Sequence, residues 1–152
     1  MNYNQPLDTR YDAYASKVLG RDHWRVLTPF SYKIDQESWV TIPSGYLTDG
    51  ASVPRLFWNM IPPWGAYGQA AVVHDLLCEY LTVVRNGKPV KITRAECDNV
   101  LNQAMQNLGV PTAQRLMIYG AVCAYRVTFN ITEPSATLLK RRLEADWRES
   151  SV

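Results

Sequence analysis

His74, Asp75 and Asp98 are the residues of this sequence whose types and spacing are best suited to chemistry. His74 lies on an apolar line of a predicted helix, and Asp75 lies about 100° further round, on a thin polar stripe. Asp98 comes about one turn into the next predicted helix. Two antiparallel helices with a short connection can place it opposite His74. A carboxylate on one ring nitrogen orients a histidine, which can then abstract a proton from water.

The same three residues allow a functional and a structural interpretation. In the functional one, Asp75 holds a divalent metal ion that polarises a substrate beside the histidine. In the structural one, His74 is a core histidine bonded to a carbonyl and Asp75 is a solvated helix residue. Asp98 is then a favourable charge near a helix N-terminus. The residue types leave both interpretations open.

A second candidate region is the loop between Gly45 and Pro63, which contains the sequence Thr48-Asp49-Gly50-Ala51-Ser52-Val53-Pro54-Arg55. Its glycines and proline impose unusual backbone, while Asp49, Ser52 and Arg55 supply an acid, a hydroxyl and a cation. Asp49 could complete a metal site or orient the histidine. Alternatively, Asp49 begins a turn, Ser52 caps a short helical turn, and Arg55 pairs with Asp49.

The cysteines offer a structural zinc site as another interpretation. His74 and Cys78 are four residues apart on one helix face, and Cys97 and Cys123 are predicted to point inward from the next two helices. Three thiols and one imidazole are a known zinc set. However, the sequence has no paired Cys-x-x-Cys spacing, and buried cysteines often act as small apolar residues. A phosphohydrolase of the His-Asp type would need a second histidine, and His23 precedes a predicted strand.

The elements that position these residues are predicted to be strands followed by helices. Residues 24–34 alternate with period two, which is typical of a half-buried strand that Pro29 would bulge or keep at a sheet edge. A turn and a returning strand at Trp39 to Ile42 follow. Residues 1–20 are polar with scattered tyrosines and are predicted to form an N-terminal arm. Residues 21–152 are predicted to form a single α+β domain.

Helical periodicity dominates the rest of the chain. The first predicted helix is apolar almost all round, and so is the third, which indicates that both are buried on most sides. The second opens with the capping box Thr93-Arg94-Ala95-Glu96. The predicted helices are Ala66–Val83, the capping box to Leu108, Gln114–Phe129, and Thr132 or Pro134 through Trp147. The fold class is therefore α+β, with an N-terminal β-hairpin or small antiparallel sheet followed by a bundle of about four helices.

Composition excludes several classes of function. The 152 residues are 47% hydrophobic and 20% charged, which is typical of a folded globular chain. A net charge of +2 is too small to indicate nucleic-acid binding. Apolar runs such as Ala70 to Val73 are far shorter than the roughly 20 residues of a membrane-spanning helix. We expect no secretory signal, no transmembrane segment and three reduced thiols.

Two motifs together resemble an uncharacterised family of small bacteriophage proteins that is known as a domain of unknown function. They are Thr48-Asp49-x-Ala51-Ser52-Val53-Pro54-Arg55 and His74-Asp75 followed by Tyr80, with Asp98 and Met105 further on. The resemblance spans roughly Phe30 to Met105. It implies a phage origin, a location in the host cytoplasm or the virion, and other virion proteins as partners, but no settled activity.

A looser similarity is to the prokaryotic type of secreted phospholipase A2. In that family a His-Asp pair lies on one helix, where the aspartate binds calcium and the histidine acts as base, and a further aspartate orients the histidine. His74, Asp75 and Asp98 fall at comparable spacing, and Tyr119-Gly120-Ala121-Val122 resembles the later helix. The chain departs from the family in lacking paired disulfides and a clear glycine-rich calcium loop, for which Trp64–Gly68 is the candidate.

Two functions are therefore predicted. The first is a metal-assisted hydrolase of ester, amide or phosphoester bonds, with phospholipid or cell envelope as substrate. Its predicted residues are His74 as base, Asp98 as its orienter, Asp75 and Asp49 as ligands of calcium or zinc, and Arg55, Ser52 and Tyr80 as substrate contacts. The second is a non-enzymatic phage structural or virion/tail accessory protein, which would use the tyrosine-rich arm and the aromatic hairpin as contact surfaces.

Overall fold

The computed structural model describes residues 2–50 and 65–150 of the chain. Its strands are β1 (Thr9–Tyr11), β2 (Trp24–Val26), β3 (Phe30–Lys33), β4 (Ser38–Ile42), β5 (Leu47–Thr48), β6 (Thr82–Arg85) and β7 (Lys88–Lys91). Its helices are α1 (Ala13–Leu19), α2 (Gly68–Tyr80), α3 (Arg94–Asn107), α4 (Thr112–Thr128) and α5 (Leu138–Ser150). Antiparallel strands precede most of the helices, so the predicted α+β class is confirmed.

The strands form two antiparallel sheets, with the orders β1-β2-β5 and β3-β4-β6-β7. The prediction of a single strand over residues 24–34 is wrong, because the chain leaves the first sheet after Val26 and begins the second at Phe30. Pro29 lies in the break, where its missing N–H removes no ladder hydrogen bond. The predicted returning strand is confirmed as β4, whose register places Trp39 opposite Lys33.

The first predicted helix ends earlier than its apolar sequence indicates. Leu81 takes a left-handed conformation (φ 50°) and donates its N–H to the carbonyl of Leu77 at 2.7 Å, which ends α2. Residues 82–91 then form the β6–β7 hairpin around Asn86 and Gly87, with φ values of 53° and 77°. This is the type I′ geometry that Asn-Gly favours. Because β6 pairs with β4, the hairpin completes the second sheet.

Residues 2–20 contain β1 and α1. Asp12 caps α1 by accepting a hydrogen bond from the amide of Ala15 at 2.9 Å. β1 pairs with β2, and the ring of Tyr3 packs against that of Tyr32 with 4.6 Å between centroids. The N-terminal segment is thus in contact with both sheets, while the division of the chain into an arm and a domain remains a prediction.

The two apolar helices differ in their surroundings. α2 packs between α3 and β4 and buries most of its residues, as predicted. α3 begins at the predicted capping box, where the Thr93 hydroxyl accepts from the amide of Glu96 at 3.1 Å. The prediction that the following helix is buried on most sides is wrong, because Ile118 is the buried residue of α4. None of the helices within the described ranges is long and apolar enough to cross a membrane.

Candidate functional site

The structure brings His74 of α2 and Asp98 of α3 together. The His74 Nε2 lies 2.7 Å from the Asp98 Oδ1. The second carboxylate oxygen accepts a hydrogen bond from the Nε of Arg126 on α4 at 2.6 Å. Only 3% of the Asp98 side chain is exposed, so its charge depends on these two partners rather than on water. We call His74, Asp98 and Arg126 the ion triad.

The ion triad is charged at neutral pH. Burial acts to lower the pKa of His74, but the hydrogen bond to Asp98 and the contact with Cys78 outweigh it and raise the pKa to about 9. Burial acts to raise the pKa of Asp98, yet the hydrogen bonds from His74 and Arg126 hold it below its usual value. The triad therefore consists of one carboxylate between two cations. His74 must lose a proton before it can act as a base.

A thiol lies beside the same histidine. The Sγ of Cys78 is 3.4 Å from the His74 Nε2, one helical turn along α2. Ligand atoms of His74, Cys78 and Asp98 all lie within 4.8 Å of one another, so these three residues could hold a metal ion. This differs from the predicted set of three thiols and one imidazole. Cys97 contacts Cys78, whereas Cys123 contacts Tyr119 and Arg126 on α4.

Asp75 faces a different region, toward β5. The Thr48 hydroxyl makes a long hydrogen bond of 3.4 Å to the Asp75 Oδ2. Asp49 lies close enough to Asp75 for its carboxylate charge to act on the Asp75 side chain. Burial and the neighbouring Asp49 charge raise the pKa of Asp75 well above its usual value. The two predicted metal ligands are thus brought together, and a proton or a cation between them would relieve the repulsion of their charges.

Further carboxylates surround this pair. Glu79 follows one turn after Asp75 on α2, and Glu144 reaches in from α5 to accept from the amide of Leu47 at 2.9 Å. Lys140 pairs with Glu79 and lies 3.7 Å from Glu144. Asp49 also forms an ion pair with Arg21 at 3.3 Å, and the side chain of Arg21 is 72% exposed. We call Asp49, Asp75, Glu79 and Glu144 the acidic cluster.

The remaining predicted site residues fall elsewhere. Tyr80 lies at the end of α2 with its ring 5.6 Å from the Arg141 guanidinium. It lines a pocket between the second sheet and α5, together with Tyr46, Leu76, Glu144 and Arg148. Ser52 and Arg55 lie outside the described residues, and so do the predicted helical turn at Ser52 and Pro54 and the predicted pairing of Arg55 with Asp49.

Sequence reasoning did not identify Arg126, Lys140 or Glu144. Arg126 is a charge near the end of an otherwise apolar helix, and such a charge needs an anionic partner when that helix packs. This signal was available in the sequence. Lys140 and Glu144 are four residues apart, which is equally typical of a solvent-exposed pair. Their place beside Asp75 depends on how α5 docks.

Comparison with known proteins gives a family but no activity. Residues 24–122, which are more than half of the chain, match the family described as "Protein of unknown function (DUF1353)". A relative is "Uncharacterized protein y4jT" of Sinorhizobium fredii (strain NBRC 101917 / NGR234), 36% identical over 86 residues. The alignment covers 55% of this chain and 23% of that protein, so the chain spans about a quarter of its relative's length. No solved structure matches the chain.

Proposed function

We propose that this chain, which belongs to the family of unknown function DUF1353, is a metal-assisted hydrolase of ester, amide or phosphoester bonds. One observation carries the proposal. Asp49 and Asp75, which come from two separate sequence motifs, lie close enough for the charge of Asp49 to raise the pKa of Asp75, and Asp75 is adjacent in sequence to a histidine that Asp98 holds. Two carboxylates that could hold a metal ion and an oriented histidine are the components that metal-assisted hydrolysis requires.

The oxygen ligands of the Asp49–Asp75 pair favour the binding of a hard divalent cation such as calcium. Two desolvated carboxylates repel each other unless they share a proton or a cation. Their oxygens, with the nearby Thr48 hydroxyl, are the ligand type that calcium and magnesium prefer. Such a cation, when bound, would polarise a carbonyl or phosphoryl oxygen of the substrate.

The protein's own groups supply the proton transfer. His74, in its neutral form, would take a proton from the attacking water through Nδ1, because its Nε2 is bonded to Asp98. Arg126 would keep the Asp98 carboxylate in place through its second oxygen. In this proposal His74 is the base, whereas Asp98 and Arg126 are positioning residues.

The substrate class is part of the proposal. The similarity to phospholipase A2 favours a phospholipid or another cell-envelope component, with Ser52, Arg55 and Tyr80 as substrate contacts. The pocket beside Tyr80 combines apolar residues with Arg148, which suits an amphiphilic substrate. A phage origin, and a location in the host cytoplasm or the virion, also remain proposals.

The test is a hydrolysis assay of the full chain with calcium, magnesium or zinc, each compared with chelator. Phospholipid vesicles, peptidoglycan and a phosphodiester serve as substrates, from neutral pH to about pH 10, because neutral His74 predominates above its pKa of about 9. We expect metal-dependent turnover that falls at least about 100-fold in His74→Gln and Asp75→Asn. The exposed Asp146→Asn is the matched control and should keep full activity.

Circular dichroism of each variant would establish that the fold survives. If no metal supports turnover of any substrate, or if folded His74→Gln hydrolyses at the wild-type rate, the hydrolase proposal is wrong.

A second function is favoured by a different observation, the apolar surface. Tyr14 near the N-terminus is 70% exposed and Trp39 of β4 is 37% exposed. On α4, Val127 is 68% exposed, and Phe129 just beyond it is 65% exposed. Exposed apolar residues in groups often mark protein contacts. This supports a non-enzymatic virion or tail accessory protein, which mass spectrometry of purified phage particles would detect; absence from the particles would count against it.

A further inference from the structure

We infer that His74, Cys78 and Asp98 form a binding site for a thiophilic divalent cation of the zinc type, between α2 and α3. This site is distinct from the Asp49–Asp75 pair proposed for a hard cation. It uses the same His74 Nε2 and Asp98 oxygen as the proposed hydrolysis, so metal binding here is an alternative state of these two residues and not a step of that reaction. The two sites use neighbouring residues of α2 but different faces of the helix.

The separations of the ligand atoms fit a tetrahedral zinc ion. Zinc bonds of about 2.0–2.1 Å to nitrogen, 2.3 Å to sulfur and 2.0–2.2 Å to oxygen give ligand–ligand separations of roughly 3.4 to 3.6 Å. The Nε2 of His74 and the Sγ of Cys78 are already 3.4 Å apart. The Nε2–Oδ1 distance to Asp98 is 2.7 Å, because a proton lies between them. Replacing that proton by a metal ion requires an opening of roughly 0.7 Å.

Secondary structure keeps these ligands in place. His74 and Cys78 are four residues apart, so α2 holds imidazole and thiol on one face. Asp98 comes from α3, where it is buried and where the adjacent Cys97 contacts Cys78. Arg126 bonds the Asp98 oxygen that does not face His74. An outer partner of this kind orients a metal ligand and raises affinity.

The charge balance of the buried region also permits a metal. Binding of the divalent cation releases two protons to solvent, one from the His74 imidazolium and one from the Cys78 thiol, which becomes the thiolate ligand. Two positive charges enter and two leave. The net charge beside Arg126 is therefore unchanged, and no new unpaired charge is buried. A thiolate and an imidazole together favour zinc over calcium or magnesium.

The experiment is a cobalt(II) titration of the full chain under reducing conditions, followed by displacement with zinc. A thiolate-to-cobalt charge-transfer band in the near ultraviolet reports a sulfur ligand directly. We expect this band to appear at one equivalent in the wild type and to be lost in Cys78→Ser. His74→Gln should weaken binding at least about 10-fold. Cys123→Ser removes a thiol outside the site and is the matched control, with wild-type binding expected.

The inference is overturned if folded wild type gives no charge-transfer band, or if Cys78→Ser binds cobalt as the wild type does. It is equally overturned if Cys123→Ser loses the band, since the sulfur ligand would then lie elsewhere. Circular dichroism of every variant separates lost binding from lost folding. Because binding is measured without substrate, an absence of hydrolysis leaves this result unaffected.

Discussion

His74 and Asp75 are consecutive residues, yet their side chains lie in two regions with different arrangements of charge. The ion triad places one carboxylate between two cations, and each hydrogen bond is charge-assisted. The acidic cluster gathers four carboxylates, and the charge of Asp49 raises the pKa of Asp75. A helix turns about 100° per residue, so adjacent residues can belong to different environments.

The ion triad and the acidic cluster are expected to contribute differently to the stability of the fold. A buried carboxylate with two hydrogen-bonded cations is satisfied, and it links α2, α3 and α4. Carboxylates that repel one another reduce stability, and groups with strongly perturbed pKa values are concentrated at functional sites. In the metal-free protein, we therefore expect the ion triad to stabilise the fold and the repulsion within the acidic cluster to oppose it.

The largest expected effect is that of Asp98→Asn. It leaves the half-buried cations His74 and Arg126 without their common buried anion, and loss of one partner of a buried ion pair costs about 3 to 5 kcal/mol. Urea unfolding monitored by circular dichroism would measure the free energy of unfolding. Asn99→Ala, at the next and exposed position, is the control and should cost less than about 1 kcal/mol. If the two variants lose the same free energy of unfolding, the ion triad does not stabilise the fold.

Arg126→Met is expected to have the next largest effect. It removes the donor to one Asp98 oxygen while His74 still holds the other, so the expected cost is about 1 to 3 kcal/mol. Arg115→Met on the same helix is the matched control, since Arg115 donates to the neutral side chain of Asn102. If the two arginine variants unfold at the same urea concentration, Arg126 contributes nothing through its charge.

Asp75→Asn tests the acidic cluster with the substitution already used at Asp98. An asparagine amide can donate a hydrogen bond to Asp49, and one source of like-charge repulsion disappears. We expect the free energy of unfolding in the absence of metal to stay constant or to rise by about 1 kcal/mol. A loss comparable with that of Asp98→Asn would show that the two regions do not differ, and Asp146→Asn controls for the change in net charge.

The smallest expected effect is the pH dependence contributed by Glu144. Burial raises the pKa of Glu144 above the usual 4.5, despite the favourable Lys140 charge and the Leu47 amide. The folded protein therefore binds this proton more tightly than the unfolded chain does. Relative to Glu144→Gln, the wild type should lose stability as pH rises above about 4.5. The urea midpoints of the two proteins, measured across this pH range, would show this loss. If the wild type instead gains stability relative to Glu144→Gln as pH rises, the expected effect of burial on Glu144 is wrong.

Local signals accounted for much of the fold. The capping box at Thr93, the helical pattern around His74 and the strand at Trp39 each depend on residues close in sequence, and each was predicted correctly. The strand break at Pro29 and the hairpin after Leu81 were missed, although Asn86-Gly87 is a strong hairpin signal. The apolar composition of residues 81–84 suits a buried helix as well as a strand, so periodicity could not separate the two.

Residues close together in the chain are enough to place His74 and Asp75 on neighbouring faces of one helix and Asp98 early in the next. Helix geometry and a capping signal are sufficient for that. Packing then sets the partners of each helix face: Arg126 of α4 bonds Asp98, and Lys140 of α5 lies near Asp75 and Glu79. These partners are distant in the chain, and their proximity follows from how the helices and the two sheets pack. Local sequence patterns therefore identify the residues of the proposed chemistry, whereas tertiary packing determines which charged groups surround them.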